Sequence, residues 1–542
     1  MADPRRAAGP AWSERTRLLL TAALATVAGL ILYLQGTAPS VVEADNAELQ
    51  SVAILGGIPH PTGYPTFVLV GRLFAHLPFS DPAFRINVMS GMLAALALGL
   101  MVVLLSTLGL SRRGAFAGAL LYGLSYTLWD SALRAGTYTL SVCLGVLGLW
   151  RTIVALRQAR PRELVLAGLL LGLMITGHMS FLLPVAALGL ALVARVVVAR
   201  QRPIAGLALL AGGFLLGLTP FLYTLWADGR SYSVNYLRLL DTCINPLRDH
   251  NPPIDTSWHR MKWLLFGRNE LHTPPIRLDP VLFVKRLGSS AIELFLFELG
   301  PLAGPFLIAG LWRRWRVDRR IALALAAAGA AALVVPGLVN TGFMLGVFLI
   351  PFTLLAAIFT ADGLAWGLDG IATRGRGGAI AGAILAVAAP LLITLPAHLL
   401  RVHAYDHPLG PKHNIQAPQH DSRQLRGVVP SMHGYWGPRR FGERAMEAIP
   451  PDALVSADWG PMTVLCYLQW VEHRRPDLTI LPPKPVILAL WQRTHEPSSH
   501  PFVFIDRSPQ TAPYLAGADS LALPWDQWLF VVRRPLTGLA TR

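Results

Sequence analysis

The sequence predicts an α-helical polytopic membrane protein with about 11 transmembrane helices and a small soluble α/β domain at its C-terminus. Two properties of the 542 residues lead to this fold class: 53% are hydrophobic and only 14% are charged. A single soluble core has too little interior to hide that much apolar surface. A third observation is that the apolar residues form runs close to the ~20 residues that a helix needs to cross a bilayer.

Eleven apolar runs are predicted to cross the membrane. They lie at residues 17–34, 86–109, 114–132, 138–156, 163–179, 181–198, 204–226, 289–311, 321–338, 341–361 and 377–400. The first run exceeds the usual apolar core of a signal peptide, so we expect it to remain as an anchor. These runs place the membrane domain at residues 1–400.

The arginines indicate the orientation of the predicted helices. They gather in every second short connection, for example at Arg112 and Arg113 and again at Arg313, Arg314 and Arg316. By the positive-inside rule these connections, and the N-terminus with them, are cytoplasmic. The opposite, extracytoplasmic side then holds three long segments: the first loop 35–84, the connection 227–288 and the tail 401–542.

The net charge of +16 invites a nucleic-acid hypothesis, but the basic residues are spread between apolar segments and form no single basic face. We therefore expect the lipid bilayer as a partner and no nucleic acid. Only four of the 47 basic residues are lysines. This arginine-rich usage is typical of a GC-rich bacterial genome, so we predict a bacterial inner-membrane protein.

The tail differs in composition from the membrane domain. "DALVSADWG" predicts a strand that ends at Asp458, "PMTVLCYLQWVEHRRPD" a helix, and "LTIL" a second strand, with "FVFID" and "WLFVVRR" as further strands. We therefore predict an extracytoplasmic α/β domain over 401–542. This domain contains no Walker or GxGxxG phosphate loop. The three cysteines of the whole chain have no CxxC spacing.

The stretch "VVEADNAELQSVAILGGIPHPTGYP", residues 41–65, has two interpretations. In the structural one, Asp45 is the N-cap of a helix that ends at "GG", and Glu48 is its capping-box partner. In the functional one, a carboxylate near the membrane surface acts as the base in an inverting sugar transfer from a lipid phosphate. Spacing alone leaves both open.

A leaving phosphate needs positive charge or hydrogen-bond donors around its oxygens. Candidates on the same side of the membrane are His60 and Tyr64 in the proline-rich turn, Arg72 in the following apolar stretch, Arg134 and His178. Each has a structural alternative: Arg134 can snorkel to headgroups, and a membrane-edge histidine such as His178 is often a packed residue. Asp130, Glu293 and Glu298 are further polar residues at membrane depth.

Three sequence blocks resemble one family. "ADNAELQSVAILGGIPHPTGYPTFVLVGRLFAHLPF", "RINVMSGMLAALAL" and "LSYTLWDSALRAGTYTLSV" are similar to the DUF2723 family, which includes eukaryotic transmembrane O-mannosyltransferase-like proteins. "YLQWVEHRRPDLTIL" in the tail also resembles that family. The likeness implies a GT-C-like fold with a catalytic acid in the first extracytoplasmic loop and sugar donors linked to a lipid phosphate.

When the functional residues of the family are carried over by motif position, the resemblance implies that Asp45 is the catalytic base and that Glu48 assists it. His60, Tyr64, Tyr138 and His178 match further motif positions; together with Arg72 and Arg134 they are the predicted substrate-binding residues. This chain departs from the pattern at two positions, where Gly136 replaces an expected glutamate and Gly177 an expected asparagine. These departures leave an altered substrate or a lost activity open.

The sequence thus favours a membrane glycosyltransferase that moves a sugar, with mannose as the first candidate, from a polyprenyl-phosphate donor to the hydroxyl of a protein or glycan acceptor. No residue cluster settles whether a divalent cation takes part, and no other cofactor is predicted. Two alternatives remain: a transporter or flippase for lipid-linked sugars, and a catalytically silent assembly factor. A transporter favours charged residues deep in several spans, whereas most ionisable residues here cluster at one external face.

Overall fold

The computed structural model describes residues 13–199, 203–237, 256–266, 279–338, 345–403, 428–482, 485–505 and 511–536. Several predictions fall outside these described residues: much of the connection 227–288, the start of the span 341–361, and part of the tail, including residues 404–427.

The membrane part is built from helices. They are α1 (Glu14–Leu34), α2 (Asp45–Leu55), α3 (Pro65–Ala75), α4 (Pro82–Thr107), α5 (Arg112–Gly123), α6 (Tyr126–Ala132), α7 (Thr137–Gln158), α8 (Pro161–Gly177), α9 (Leu182–Ala199), α10 (Pro203–Gly217), α11 (Pro220–Asp228), α12 (Ser257–Phe266), α13 (Pro280–Ile292), α14 (Ala303–Val317), α15 (Arg319–Ala332), α16 (Ile350–Ala372) and α17 (Gly375–His403). Short helical turns lie at Met179–Phe181, Val334–Leu338 and Leu345–Phe348.

Within the described ranges, eight helical segments are long and apolar enough to cross a membrane, and a bent pair would make a ninth. Two of the predicted spans correspond to shorter helices instead. The span 114–132 is divided into α5 and α6, and the span 163–179 is the 17-residue α8. The polytopic α-helical prediction is confirmed, and the count of about 11 differs because these segments are short or interrupted.

The predicted continuous span 289–311 is wrong in one respect, because the helix breaks in its middle. The segment Pro280–Glu298 and the helix Ala303–Val317 are bent by 109° relative to each other. Gly300 lies at the break with φ +90°, where a Cβ would stand 2.2 Å from the carbonyl oxygen of Ile393. Hydropathy predicts how long an apolar segment is but carries no information about this close backbone approach.

A buried charge cluster lies at the segment just before this break. Nη2 of Arg401, in α17, lies 3.2 Å from a Glu293 carboxylate oxygen and 3.0 Å from a Glu298 carboxylate oxygen. Glu298 also accepts hydrogen bonds from the backbone N–H and the hydroxyl of Thr127, at 3.1 and 2.6 Å. All three charged side chains are at most 2% exposed. The cluster therefore fixes the first turn of α6 against α17.

The tail adds the helices α18 (Gly437–Ala448), α19 (Trp459–Trp470) and α20 (Pro485–Thr494) to the strands β1 (Leu454–Ala457), β2 (Thr479–Leu481), β3 (Phe502–Ile505), β4 (Asp519–Leu523) and β5 (Gln527–Val532). The sheet order is β2-β1-β3-β5-β4. β1 is parallel to β2 and β3, whereas β5 is antiparallel to β3 and β4. The four predicted strands are confirmed; β4 was missed because its residues are mostly exposed and lack apolar alternation.

The first loop and the tail pack together. Val41, Ala47 and Ala83 belong to the same hydrophobic core as Phe441, Val464 and Leu468 of the tail. The backbone N–H of Met432 donates to the carbonyl of Gly36 at 2.7 Å. This contact requires the first loop and the packed part of the tail to lie on the same side of the membrane helices; the assignment of that side as extracytoplasmic stays a prediction.

Candidate active site

The start of α2 contradicts the capping-box hypothesis. The N-cap position is Ala44, with φ +57°, and it makes no side-chain cap hydrogen bond. Asp45 is the first helical residue, and its Oδ1 accepts a 2.7 Å hydrogen bond from the indole N–H of Trp459. Glu48 accepts the backbone N–H of His60 at 2.9 Å and contacts the His60 ring. Both carboxylates thus serve partners outside their own helix.

The glycine and proline residues after α2 bring His60 back to this helix. Gly57 has φ +122°, and a Cβ there would lie 1.9 Å from the carbonyl oxygen of Val234, so only glycine fits. That carbonyl accepts the N–H of Ile58, which fixes the start of the turn. Tyr64 closes the turn, since its hydroxyl donates to the carbonyl of Pro61 at 2.8 Å and lies 3.3 Å from Nε2 of His60.

His60 lies between the two carboxylates. Its Nδ1 contacts Glu48, and its Nε2 is 3.8 Å from Oδ2 of Asp45. Burial by itself lowers the pKa of His60, but Asp45 and Glu48 outweigh it and raise the pKa to about 9. Burial raises the pKa of Glu48 from its ordinary value, although the adjacent His60 opposes this. At neutral pH His60 is therefore an imidazolium that links the two acids.

The two acids differ in their access to solvent. The Asp45 side chain is 37% exposed, whereas that of Glu48 is 6% exposed. Of these two acids, Asp45 alone lines a cavity of about 360 Å³, which opens between the first loop, α6, α7 and α19. Of the two acids, Asp45 is therefore the one that a molecule bound in this cavity can reach. Glu48 lies outside the cavity and binds His60.

The wall of this cavity also carries a cation. Arg134 follows α6 and lines the cavity together with Asp130, to which its Nη2 is paired at 2.6 Å. Tyr138, in the first turn of α7, also lines it. The cavity therefore combines an accessible carboxylate, an arginine and phenolic hydroxyls.

The structure brings most of the predicted site residues together. Those that line the cavity are Asp45, His60, Tyr64, Arg134 and Tyr138. His178 is buried behind them, with ring centroids 5.5 Å from Tyr64 and 5.3 Å from Tyr138. Arg72 does not line the cavity; one of its guanidinium nitrogens would lie 2.9 Å from a Cβ on Gly56.

The two departures from the family pattern have different surroundings. A Cβ at Gly136, which lines the cavity, would find its nearest atoms at 3.8 and 3.9 Å. A side chain therefore has room there, and glycine leaves the cavity wider. At Gly177 a Cβ would lie 3.1 Å from Leu144, so a larger residue would require that side chain to move.

Trp459 is the functional candidate that sequence reasoning missed. It lines the cavity from the tail and orients Asp45, 414 residues away in the chain. A tryptophan after a predicted strand carries no signal for such a contact. Among the described residues, no group of three or more His, Cys, Asp or Glu side chains is placed to hold a metal ion.

We predict that stability falls as the pH rises from about 7 to 9. The folded-state pKa of His60, about 9, is above its ordinary value of 6.5. Its stabilising charge is therefore fully present below pH 6.5 and is lost as the pH passes through 9. Thermal unfolding of detergent-solubilised protein from pH 6 to 10 should show this decline, which His60→Asn should flatten. A parallel decline in both proteins would contradict the assignment.

The fold and this cavity define a polytopic membrane protein in which an acid–histidine pair and an arginine line one cavity. Residues 45–201 match the family model of the protein O-mannosyl-transferase TMEM260 N-terminal domain. The N-terminal part of the chain is thus O-mannosyltransferase-like, and it contains every predicted site residue. The DUF2723 name itself stays a prediction.

Individual relatives match over limited lengths. The chain is 30% identical to protein O-mannosyl-transferase TMEM260 of Mus musculus over 141 residues, which are 26% of this chain and 20% of the mouse protein. It is 39% identical to the Dictyostelium discoideum protein of that name over 70 residues, 12% of this chain and 8% of the relative. The matched part therefore spans a fifth or less of these relatives.

Solved structures match over most of the chain at low identity. ArnT from Cupriavidus metallidurans, bound to undecaprenyl phosphate, is 13% identical with a TM-score of 0.49, covering 97% of this chain and 99% of ArnT. The mycobacterial arabinofuranosyltransferase AftD is 14% identical with a TM-score of 0.47, covering 96% of this chain and 40% of AftD.

Proposed function

We propose that this protein is a GT-C-type membrane glycosyltransferase that transfers a sugar from a polyprenyl phosphate to an extracytoplasmic hydroxyl. The observation that carries the proposal is that Asp45 and Arg134 line the same cavity, from the first loop and from the segment between α6 and α7 respectively. The match of residues 45–201 to a protein O-mannosyl-transferase family model supports the same class of reaction. Mannose is accordingly the first donor sugar to test.

In the proposed reaction Asp45 takes the proton of the acceptor hydroxyl. The acceptor oxygen then forms a bond to the anomeric carbon as the bond between that carbon and the phosphate oxygen breaks, and the polyprenyl phosphate leaves. A single base on the face opposite the leaving group inverts the anomeric configuration. Arg134 is the cation in the cavity that can meet the charge of the phosphate.

The surrounding residues hold this base in place. Trp459 fixes one carboxylate oxygen of Asp45, and His60 lies 3.8 Å from the other. Glu48 in turn binds both the ring and the backbone N–H of His60. Supports of this kind limit the motion of a reacting carboxylate, which matters because small misplacements cost large factors in rate.

The proposed site is extracytoplasmic, with the N-terminus in the cytoplasm of a bacterial cell. The arginine-bearing ends of the helices lie together, for example where Arg157 at the end of α7 lies 3.5 Å from Asp318. Single cysteines placed at Gly109 and Gly434 test this orientation. A membrane-impermeant maleimide added to intact spheroplasts is expected to label Cys at 434 and leave that at 109 unlabelled; the reverse pattern would place the site in the cytoplasm.

The function is tested with purified protein in liposomes that contain a polyprenyl-phosphate sugar, together with a hydroxyl-bearing peptide or glycoside as acceptor, and release of polyprenyl phosphate is the readout. Consumption of the donor together with a glycosylated product supports the transferase. A transporter or flippase would instead move intact lipid-linked sugar between leaflets, and a silent assembly factor would do neither. Mannose, glucose and arabinose donors should be compared in the same preparation.

Arg134→Gln is expected to raise the KM for the donor by about 10- to 100-fold, the factor that a lost charge-assisted hydrogen bond typically costs. Arg72→Gln is a matched control, because Arg72 has the same chemistry in the first loop but does not line the cavity. Equal KM values for the two variants would argue against Arg134 as the phosphate-binding group.

A further inference from the structure

A second cavity adjoins the first and has no role in the reaction described above. It has a volume of about 250 Å³ and lies between α2, the segment 232–236, α19 and the strand β2. Trp459 lines both cavities. The tail therefore contributes one wall to each cavity, with the Asp45–Trp459 hydrogen bond at their junction.

The second cavity differs from the first in charge. Among the residues that the structure describes, no arginine, lysine or histidine lines it, and the one carboxylate in this lining, Glu48, is already bound to His60. A phosphate group needs cationic or multiple donor groups to replace its water. The first cavity, which Arg134 lines, is therefore the one with a cation for the lipid phosphate. The second cavity suits an uncharged ligand.

The lining combines flat aromatic surfaces with a few hydroxyls. The aromatic side chains are Tyr232, Tyr236, Trp459 and Trp470. Ser51 and Thr463 supply hydroxyl groups; that of Thr463 donates to the Trp459 carbonyl at 2.9 Å, which leaves its oxygen able to accept. A sugar ring presents an apolar face of C–H groups and a rim of hydroxyls, and such a mixed surface fits aromatic walls with few polar groups.

The position of the second cavity brings a ligand bound there close to the proposed base, Asp45. Glu48 and Asp45 are three residues apart and thus on one face of α2. Glu48 lines the second cavity and Asp45 the first. A ligand in the second cavity that reaches past Trp459 therefore meets Asp45.

We propose that the second cavity binds the neutral sugar ring of a glycan acceptor and directs one of its hydroxyls to Asp45. This inference rests on the proposed function, since it names the acceptor class of the same reaction. The volume is below the ~300–1,000 Å³ of pockets for drug-sized ligands, which suits one or two sugar rings. The tail is then an acceptor-binding element.

Binding is measured without turnover on the Asp45→Asn protein, by saturation-transfer NMR with the methyl glycosides of mannose, glucose and galactose. Trp470→Ala in this background is expected to weaken binding about 3- to 10-fold through loss of an aromatic surface. Trp491→Ala is the matched control: it is a tryptophan of the tail outside the cavity, stacked on His495 at 3.7 Å. Thr463→Val, which keeps shape and removes the hydroxyl, gives a second variant in case Trp470→Ala is unstable.

Equal binding to the Trp470 and Trp491 variants, or no glycoside binding at all, would overturn the proposal. A hydroxyl-bearing peptide that binds in a Trp470-dependent manner while glycosides do not would also overturn the glycan class. Turnover separates the two proposals: with the native Asp45 protein, Trp470→Ala should raise the KM for a glycoside acceptor and not that for the donor. Glycoside binding that depends on Trp470 without any donor consumption would keep the cavity assignment and reject the transferase.

Discussion

Asp45→Asn is expected to reduce sugar transfer by about 10²- to 10⁴-fold, the usual contribution of a general base. The amide is the same size, and its oxygen can still accept the hydrogen bond that Trp459 donates to Asp45. It cannot take a proton from the acceptor. The loss should therefore appear in kcat, with little change in the KM for the donor.

The measurement compares Asp45→Asn with Asp519→Asn, an exposed aspartate of β4 outside the cavity. The control should transfer sugar like the parent and keep its Tm, whereas Asp45→Asn removes one of the two charges that stabilise the His60 imidazolium and should lower the Tm modestly while the protein stays folded. Transfer by Asp45→Asn at the rate of the parent would reject Asp45 as the base. A loss of activity because the Asp45→Asn protein no longer folds or inserts into the membrane would point to a structural role instead.

Arg401→Met is expected to destabilise the protein by about 3–5 kcal/mol, enough to reduce its yield in membranes. The substitution leaves Glu293 and Glu298 buried without the cation that lies 3.0–3.2 Å from each. Because Glu298 also binds Thr127, the wall of the cavity should loosen as well. Thermal unfolding in detergent micelles, at one protein concentration, measures the effect.

A double variant separates charge from packing at this cluster. Arg401→Met combined with Glu298→Gln removes one of the two uncompensated carboxylates and should recover part of the lost Tm. Glu298→Gln alone should cost less than Arg401→Met, since Arg401 keeps Glu293. If the double variant is no more stable than Arg401→Met alone, the loss comes from packing and not from buried charge.

Hydrophobic patterning predicted the helical part of the fold because a membrane span needs little more than sufficient length and apolarity. It failed at the break near Gly300, where the bend depends on a close approach to Ile393 in another helix. It also failed at β4, whose residues face solvent. These features depend on tertiary neighbours that local sequence does not encode.

The candidate site was predictable where its residues share one segment. Asp45, Glu48, His60 and Tyr64 fall within 20 residues of one unusual stretch, and the structure joins them. Capping geometry was the wrong interpretation of "DNAE", because Asp45 finds its partner in Trp459 of the tail. A contact across 414 residues leaves no local pattern from which it could be predicted.

Product stereochemistry tests the account most directly. A polyprenyl-phosphate sugar of known anomeric configuration is incubated with the purified protein and an acceptor, and the anomeric configuration of the product is read by NMR. A base that acts in a single displacement, as proposed for Asp45, predicts a product of inverted configuration only, formed about 10²- to 10⁴-fold more slowly by Asp45→Asn. A product of retained configuration, or no transfer from any lipid-linked donor, would contradict the account.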